Sequence, residues 1–248
     1  MRLLLANPNT TQAVTDTIAA AARAVASPGT EIVPATARFG ARIIGTRAEM
    51  AIAEHASLDT LARHAENCDA AIIGASVDSG LRAARELLSI PALGLTESAL
   101  HVACLAGGRF GTVTLSRRST YPVREMIEGY GLLGRCGGMR IADATPQDLM
   151  AAPDRVADLI VAEAKTLIEQ DMVDVVVLIG AVMAPIAARV QLNLPVPVVE
   201  GVACAVALAE AMVRLKLPKP RAGGYARVPA RDLVGVDPAL ASRFGEPV

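Results

Sequence analysis

Short, nearly continuous apolar runs alternate with longer Ala-rich stretches from one end of the chain to the other. The runs RLLLA (2–6), EIVPA (31–35), DAAIIGA (69–75), PALGL (91–95), FGTVTL (110–115), MRIADA (139–144), VDVVVLIGA (173–181) and VPVVE (196–200) have strand length. Between them, helices are predicted over about 10–26, 48–67, 81–89, 97–107, 119–131, 153–170, 183–192 and 201–214. Several of these start on a capping residue, such as Asn9 or Thr10 after the first run and Thr96 before ESALHVACLA. Apolar strands alternating with helices predict an α/β fold built on parallel sheet covered on both faces.

The pattern repeats. DAAIIGASVDSGLRAARELLSIPALGLTESALHVACLA from Asp69 and DVVVLIGAVMAPIAARVQLNLPVPVVEGVACAVALAE from Asp174 share one order. Each runs strand, small-residue loop, short helix, Pro-led strand, Ala/Val-rich helix. The offset of about 105 residues sets Ala75 against Gly180 and Thr96 against Glu200. RLLLANPNTT and FGTVTLSRRST echo each other more weakly. The expected architecture is two pseudo-symmetric α/β lobes, each a short, mainly parallel sheet flanked by helices, with the active-site cleft between them. The first lobe spans 1–95 plus 201–248 and the second spans 96–200. A small ligand is expected between the loops that end equivalent strands.

Composition narrows the function. The 248 residues can bury a sizeable core, and 52% are hydrophobic, but there is no Trp and only three Tyr and three Phe. A formal net charge of −1 without a basic stripe argues against nucleic acid, and so does the lack of aromatic platforms. No apolar run reaches the roughly 20 residues of a membrane span. The start MRLLLANPNTT is too short and too soon polar for a secretory segment, so a cytoplasmic location is expected. Cys68, Cys104, Cys136 and Cys204 lack metal-ligand spacing and read as buried small residues; no metal and no cofactor is expected. His55 and His64 fall on one predicted helix as surface residues, and Ala/Val-rich helix faces leave room for a homo-oligomer.

Four loops carry the candidate chemistry. In NPNTT (7–11), Asn7 and Asn9 offer amide donors, while Thr10 and Thr11 open a helix whose dipole favours an anion. GASVDSG (74–80) brings Ala75, Ser76 and Asp78, and TLSRRST (114–120) brings Thr114, Ser116, Ser119 and two arginines. IGAVMAP (179–185) holds Gly180 and Ala181, with backbone amides and no reactive side chain. Such neutral donors suit a carboxylate or an imide-like oxygen. Glu200 ends a strand and precedes a helix, where a cleft position and a capping role explain it equally well. Glu97 and His101 share one helix face at i, i+4.

NPNTT, DSGL, VVVLIGAVMA and VPVVEGVACAVALAE, in this order over residues 2–214, resemble the hydantoin and allantoin racemase branch of the aspartate/glutamate racemase superfamily. The resemblance implies two pseudo-symmetric lobes and cofactor-independent proton transfer by two cysteines, one from each lobe. Here the first cysteine position falls on Ala75, or on Ser76 with a one-residue gap, and the second falls on Gly180. None of the four cysteines replaces them. Arylmalonate decarboxylases resemble the chain differently, reading Gly-Thr-Ser where Gly74-Ala75-Ser76 stand, and their single cysteine also falls on Gly180. A serine hydroxyl needs a neighbouring base.

The expectation is therefore a racemase or isomerase working by non-thiol chemistry, next to a carbonyl or carboxylate of a small polar substrate. That substrate is hydantoin-, amino-acid- or malonate-like, either a carboxylate or a cyclic ureide. A lyase or decarboxylase of the same fold, or a non-catalytic small-acid binder, are the alternatives. Ser76 and Asp78 are the expected catalytic residues, with Asp78 at the lip of the cleft. Asn7, Thr10, Ala75, Ser76, Thr114, Gly180, Ala181 and Glu200 are the expected substrate contacts.

Overall fold

The computed structural model describes residues 1–245. In chain order the elements are β1 (Arg2–Asn7), α1 (Gln12–Val25), β2 (Glu31–Thr36), α2 (Arg47–His64), β3 (Ala70–Ile73), α3 (Leu81–Leu87), β4 (Ala92–Gly94) and α4 (Leu95–Ala106). Then follow β5 (Phe110–Thr114), α5 (Arg117–Gly129), β6 (Cys136–Ile141), α6 (Pro146–Ala151), α7 (Pro153–Gln170) and β7 (Val175–Ile179). The chain closes with α8 (Ala187–Gln191), β8 (Val198–Glu200), α9 (Gly201–Leu215) and α10 (Pro238–Ala241). It divides into two compact units, Met1–Gly94 with Ala205–Val248, and Leu95–Cys204.

Each unit holds one four-stranded parallel sheet. The orders are β2-β1-β3-β4 and β6-β5-β7-β8, so the two sheets share one topology. Leu3, Leu4 and Leu5 of β1 are completely buried, as are Val175, Val176 and Val177 of β7. Burying each such side chain contributes about 1.5–3 kcal/mol. Burial on both faces is why the strands read as runs and not as alternations. Pro34 sits in β2, an edge strand, where its missing N–H breaks no inner ladder.

Helix starts follow local chemistry. Thr46 and Glu49 form a capping box that opens α2, and Thr145 with Asp148 does the same for α6, with Pro146 at the first helical position. Ser116 accepts from the Ser119 N–H and starts α5 two residues earlier than the apolar pattern suggests. The predicted helix over 183–192 divides into a 3₁₀ turn (Ala181–Ile186) and α8, since Pro185 lacks an N–H to continue the ladder. β6 begins at Cys136 rather than at 139, and Gly137 and Gly138 mask that start in the sequence. The repeat also aligns differently in detail: β4 ends at Gly94 and β8 at Glu200, so Glu200 corresponds to Gly94 and not to Thr96.

Within the first unit a buried carboxylate fastens α9 to the α1–β2 turn. Glu210 accepts from the Ser27 N–H at 2.8 Å, the Ser27 hydroxyl at 2.5 Å, the Thr30 hydroxyl at 2.8 Å and Arg214 at 3.2 Å. The C-terminal segment is held by a second cluster. Arg38 bonds both oxygens of the buried Asp59 and reaches Asp237, which also pairs with Arg63. Burial opposes ionisation of Glu210, but the hydroxyl and amide donors outweigh it and hold the carboxyl below the usual carboxylate range. A depressed folded-state pKa gives stability that is present above the unfolded value and is lost as pH falls. Glu210→Ala should therefore cost about 2 kcal/mol at pH 7, with the deficit shrinking below about pH 4. Urea unfolding of both proteins at pH 7 and pH 3.5 measures this; an equal deficit at the two values would remove the carboxylate from the account.

Candidate functional site

In an open parallel sheet a ligand sits outside the carboxyl ends of the strands, where the strand order reverses. The order β2-β1-β3-β4 reverses between β1 and β3, and β6-β5-β7-β8 reverses between β5 and β7. The loops at these points are residues 7–11 and 74–80 in the first unit, and 114–119 and 180–186 in the second. They are the four loops singled out in the sequence. Gly74 is tied to the end of β1 by its N–H, which donates to the Ala6 carbonyl at 2.7 Å, so the first two loops start side by side.

The 7–11 loop is organised from inside. Asn7 is fully buried, and its Oδ1 accepts from the Asn9 N–H at 3.1 Å. Its Nδ2 donates to Asn9 Oδ1 at 3.1 Å and to Thr15 Oγ1 at 2.9 Å. Both ends of the Asn7 amide, expected from the sequence as a ligand donor, are thus bonded within the protein, as a buried amide requires. Thr10 is bonded within the protein too. Its N–H and hydroxyl both point to the Ala41 carbonyl, at 3.0 and 3.4 Å, while the Thr11 hydroxyl donates to Arg42 O at 2.8 Å. These bonds fasten the segment after β2 to the loop.

The 74–80 loop turns sharply. The Asp78 N–H donates to Ala75 O at 3.2 Å, Asp78 has φ of 45° and Gly80 has φ of 77°. Aspartate is among the few side chains that adopt the left-handed region readily. Ala75 is buried and Ser76 half-buried. Asp78 is only 6% exposed, not at a lip. Its carboxyl lies over Gly94 at the end of β4: a Cβ placed on Gly94 would come within 2.5 and 2.7 Å of the two carboxylate oxygens. Gly94 is thus required by close approach.

In the second unit Thr114 is buried and its hydroxyl donates to Ser116 O at 3.3 Å, so it too is engaged within its own loop. Gly180 and Ala181 open the 3₁₀ turn, and Gly180 O accepts from the Met183 N–H at 2.8 Å. A Cβ at 180 would meet Met183 Cε at 2.8 Å, so Met183 fills the space a side chain there would take. Glu200 is a helix cap. Its two oxygens accept from the Val202 and Ala203 N–H groups of α9, each at 2.6 Å. Burial pushes this carboxyl up while those amides hold it back.

None of the four cysteines lies in these loops. Cys68 precedes β3 and Cys136 opens β6, both at the amino ends of strands, and burial pushes both thiols up. Cys104 lies near the end of α4, and Cys204 lies in α9, where burial and the neighbouring Glu200 push it up to about 12. His101 is exposed and pairs with the Glu97 carbonyl of its own helix; His55 stacks edge-on against Phe39. Among the described residues no cluster of three His, Cys, Asp or Glu side chains forms a metal-binding group, and no helix is long and apolar enough to cross a membrane.

The molecule has well-defined relatives. A hydantoin racemase of Pseudomonas sp. (strain NS671) is 28% identical over 236 residues, covering 95% of each chain. An allantoin racemase from Klebsiella pneumoniae superposes with a TM-score of 0.92 at 33% identity, over 97% of this chain and 98% of that one. The allantoin racemase from Pseudomonas fluorescens gives 0.91 at 34% identity, over 95% and 100%. The Asp/Glu/Hydantoin racemase family model matches residues 3–209. With a shared topology in both sheets, loops at both reversal points and this match over most of its length, the chain belongs to the Asp/Glu/hydantoin racemase family, in its hydantoin racemase-like branch.

Proposed function

We propose that the protein is a cofactor-independent racemase-type isomerase that exchanges the proton on the carbon next to a carbonyl of a small polar substrate, by carboxylate and not thiol chemistry. Family membership supports the racemase-type isomerase, and the hydantoin and allantoin racemases among its relatives make a cyclic ureide the first substrate class to test. The observation that carries the chemistry is the content of the four loops at the strand-order reversals. They contain no cysteine or histidine, and Asp78 is their sole carboxylate.

In this reading Asp78 takes the α-proton, the Ser76 hydroxyl with nearby loop amides holds the enolate oxygen that forms, and a water molecule protonates the carbon on its other face, the hydroxide left behind taking the proton from Asp78. Preorganised neutral donors stabilise such a charge without reorganising at the moment of reaction. Gly94 is a positioning residue, because it alone leaves room for the Asp78 carboxyl at the end of β4. Glu200 supports the start of α9, and Thr114 and Gly180 shape the second unit's loops without donating a proton.

Deuterium exchange at C5 of 5-substituted hydantoins in D₂O, followed by loss of the proton signal, tests the reaction. Wild-type protein should exchange the proton. Asp78→Asn should slow exchange about 100- to 10,000-fold, and Ser76→Ala about 100-fold. Gly94→Ala, which displaces the Asp78 carboxyl while leaving it in the chain, should slow it about 100-fold. An Asp78→Asn protein with the wild-type rate would sink the assignment, and a wild type that exchanges no member of a hydantoin series would sink the ureide class.

The absence of thiol chemistry has its own test. Alkylation of the native protein with iodoacetamide at pH 7, monitored by mass spectrometry, should leave the exchange rate unchanged whichever of the four cysteines reacts. Inactivation that tracks modification of one cysteine would show a thiol at work.

A further inference from the structure

The hydrogen-bond directions in the 7–11 loop single out one donor, and we infer that the side-chain amide of Asn9 holds an sp² oxygen of the ligand. The inference rests on the proposed site at the β1–β3 reversal. It concerns which group in that site meets the ligand, and it replaces Asn7 in that role.

The orientation of both amides is fixed by backbone donors. The Thr11 N–H donates to the Asn9 side chain at 2.9 Å, so the atom it meets is Oδ1, and Nδ2 points the other way. The Asn9 N–H donates in turn to Asn7 Oδ1, which leaves Asn7 Nδ2 as the donor to Asn9 Oδ1 and to Thr15. Beyond Thr15 the chain has one consistent sense. Thr15 Oγ1 donates to Thr36 Oγ1 at 2.6 Å, Thr36 donates to Gln12 Oε1 at 2.8 Å, and Gln12 Nε2 donates to Asp16 at 2.8 Å. Each hydroxyl uses its one proton downstream, so the sequence of bonds admits no flip of either amide.

Asn9 therefore spends its acceptor on the loop and keeps both Nδ2–H bonds. Among the described residues none accepts from Nδ2, although Asn9 is only 8% exposed. Nor is Nδ2 among the fully enclosed unpartnered atoms, so it reaches the loop surface. A largely buried amide that is rigidly held and keeps two unspent donors is suited to an oxygen acceptor. The acceptor is either a neutral carbonyl, as in a ureide, or a carboxylate.

Side-chain amide signals in a ¹⁵N–¹H correlation spectrum of the full chain test this directly. The Asn9 pair is assigned by its loss in Asn9→Asp, a variant that retains the acceptor for the Thr11 N–H, or through bonds if that variant does not fold. Hydantoin and acetate are titrated separately. The expected result is a saturable shift of the Asn9 pair with one of them and none of the Asn7 pair; the probe that saturates identifies the acceptor. Asn9→Asp should then bind that probe about 10- to 100-fold more weakly.

Saturable shifts at the Ala75 or Ser76 backbone amides with a silent Asn9 pair would overturn the inference and leave the proposed function standing. No saturable shift with either probe would overturn it as well. A shifting Asn9 pair in a protein that exchanges no α-proton would leave the donor in place and remove the reaction.

Discussion

The inner strands of each four-stranded sheet, β1 and β3 in one and β5 and β7 in the other, are buried on both faces, and that closure decides where polar chemistry is possible. Inside such a sheet an unpaired polar group costs roughly 1–3 kcal/mol, so side chains with spare donors or acceptors are confined to the strand ends. Asn7 illustrates the constraint. It is the last residue of β1 and is fully buried, and its side-chain amide is bonded to Asn9, Thr15 and the Thr11 carbonyl. One residue pair further on, Asn9 has the same chemistry and a different balance, with its oxygen committed and its nitrogen not.

The two sheets meet a shared problem in different ways. Each fourth strand ends on a helix start, and each such end carries a buried carboxyl group. In the second unit the acid is Glu200 itself, wrapped onto the first amides of α9. In the first unit the equivalent position is Gly94, and the carboxyl of Asp78 lies where a side chain at 94 would begin. The acid thus enters from a loop in the left-handed conformation and not from the strand. That difference separates a carboxylate with two capping bonds from one placed in the loop after β3, next to the reversal point. It also explains why alignment by repeat alone assigns Glu200 the wrong partner.

The fold was legible because its signals are local. Continuous apolar runs mark all eight strands, and the repeat from Asp69 and Asp174 marks the common topology. α6 escaped notice although Thr145, Pro146 and Asp148 announce its start, because six residues hold too few apolar positions to show a period. The candidate loops were legible, but the bonding of their side chains was not. Whether Asn7 or Asn9 has a donor to spare depends on Thr15 and Thr36, which reach the loop from α1 and β2. Whether Asp78 lies at an edge or folds inward depends on the missing Cβ at Gly94, sixteen residues along the chain. No spacing rule encodes either.

The loop after β7 is closed by packing. Met183 Cε lies 2.8 Å from where a Cβ at Gly180 would stand. Methionine fills such a gap at little conformational cost because its chain is unbranched and flexible. Met183 is itself fully buried within the second unit's core, alongside Val156 and Ile160, so the gap is closed from the core side. A side chain introduced at 180 would require the terminal methyl of Met183 to shift. The loop after β3 has the opposite construction: Ser76 is half-buried and Asp78 is held over Gly94. The one carboxylate in these loops therefore lies in the first unit. This asymmetry, set by one glycine filled from behind and another that admits a carboxylate, underlies the carboxylate chemistry proposed for the protein.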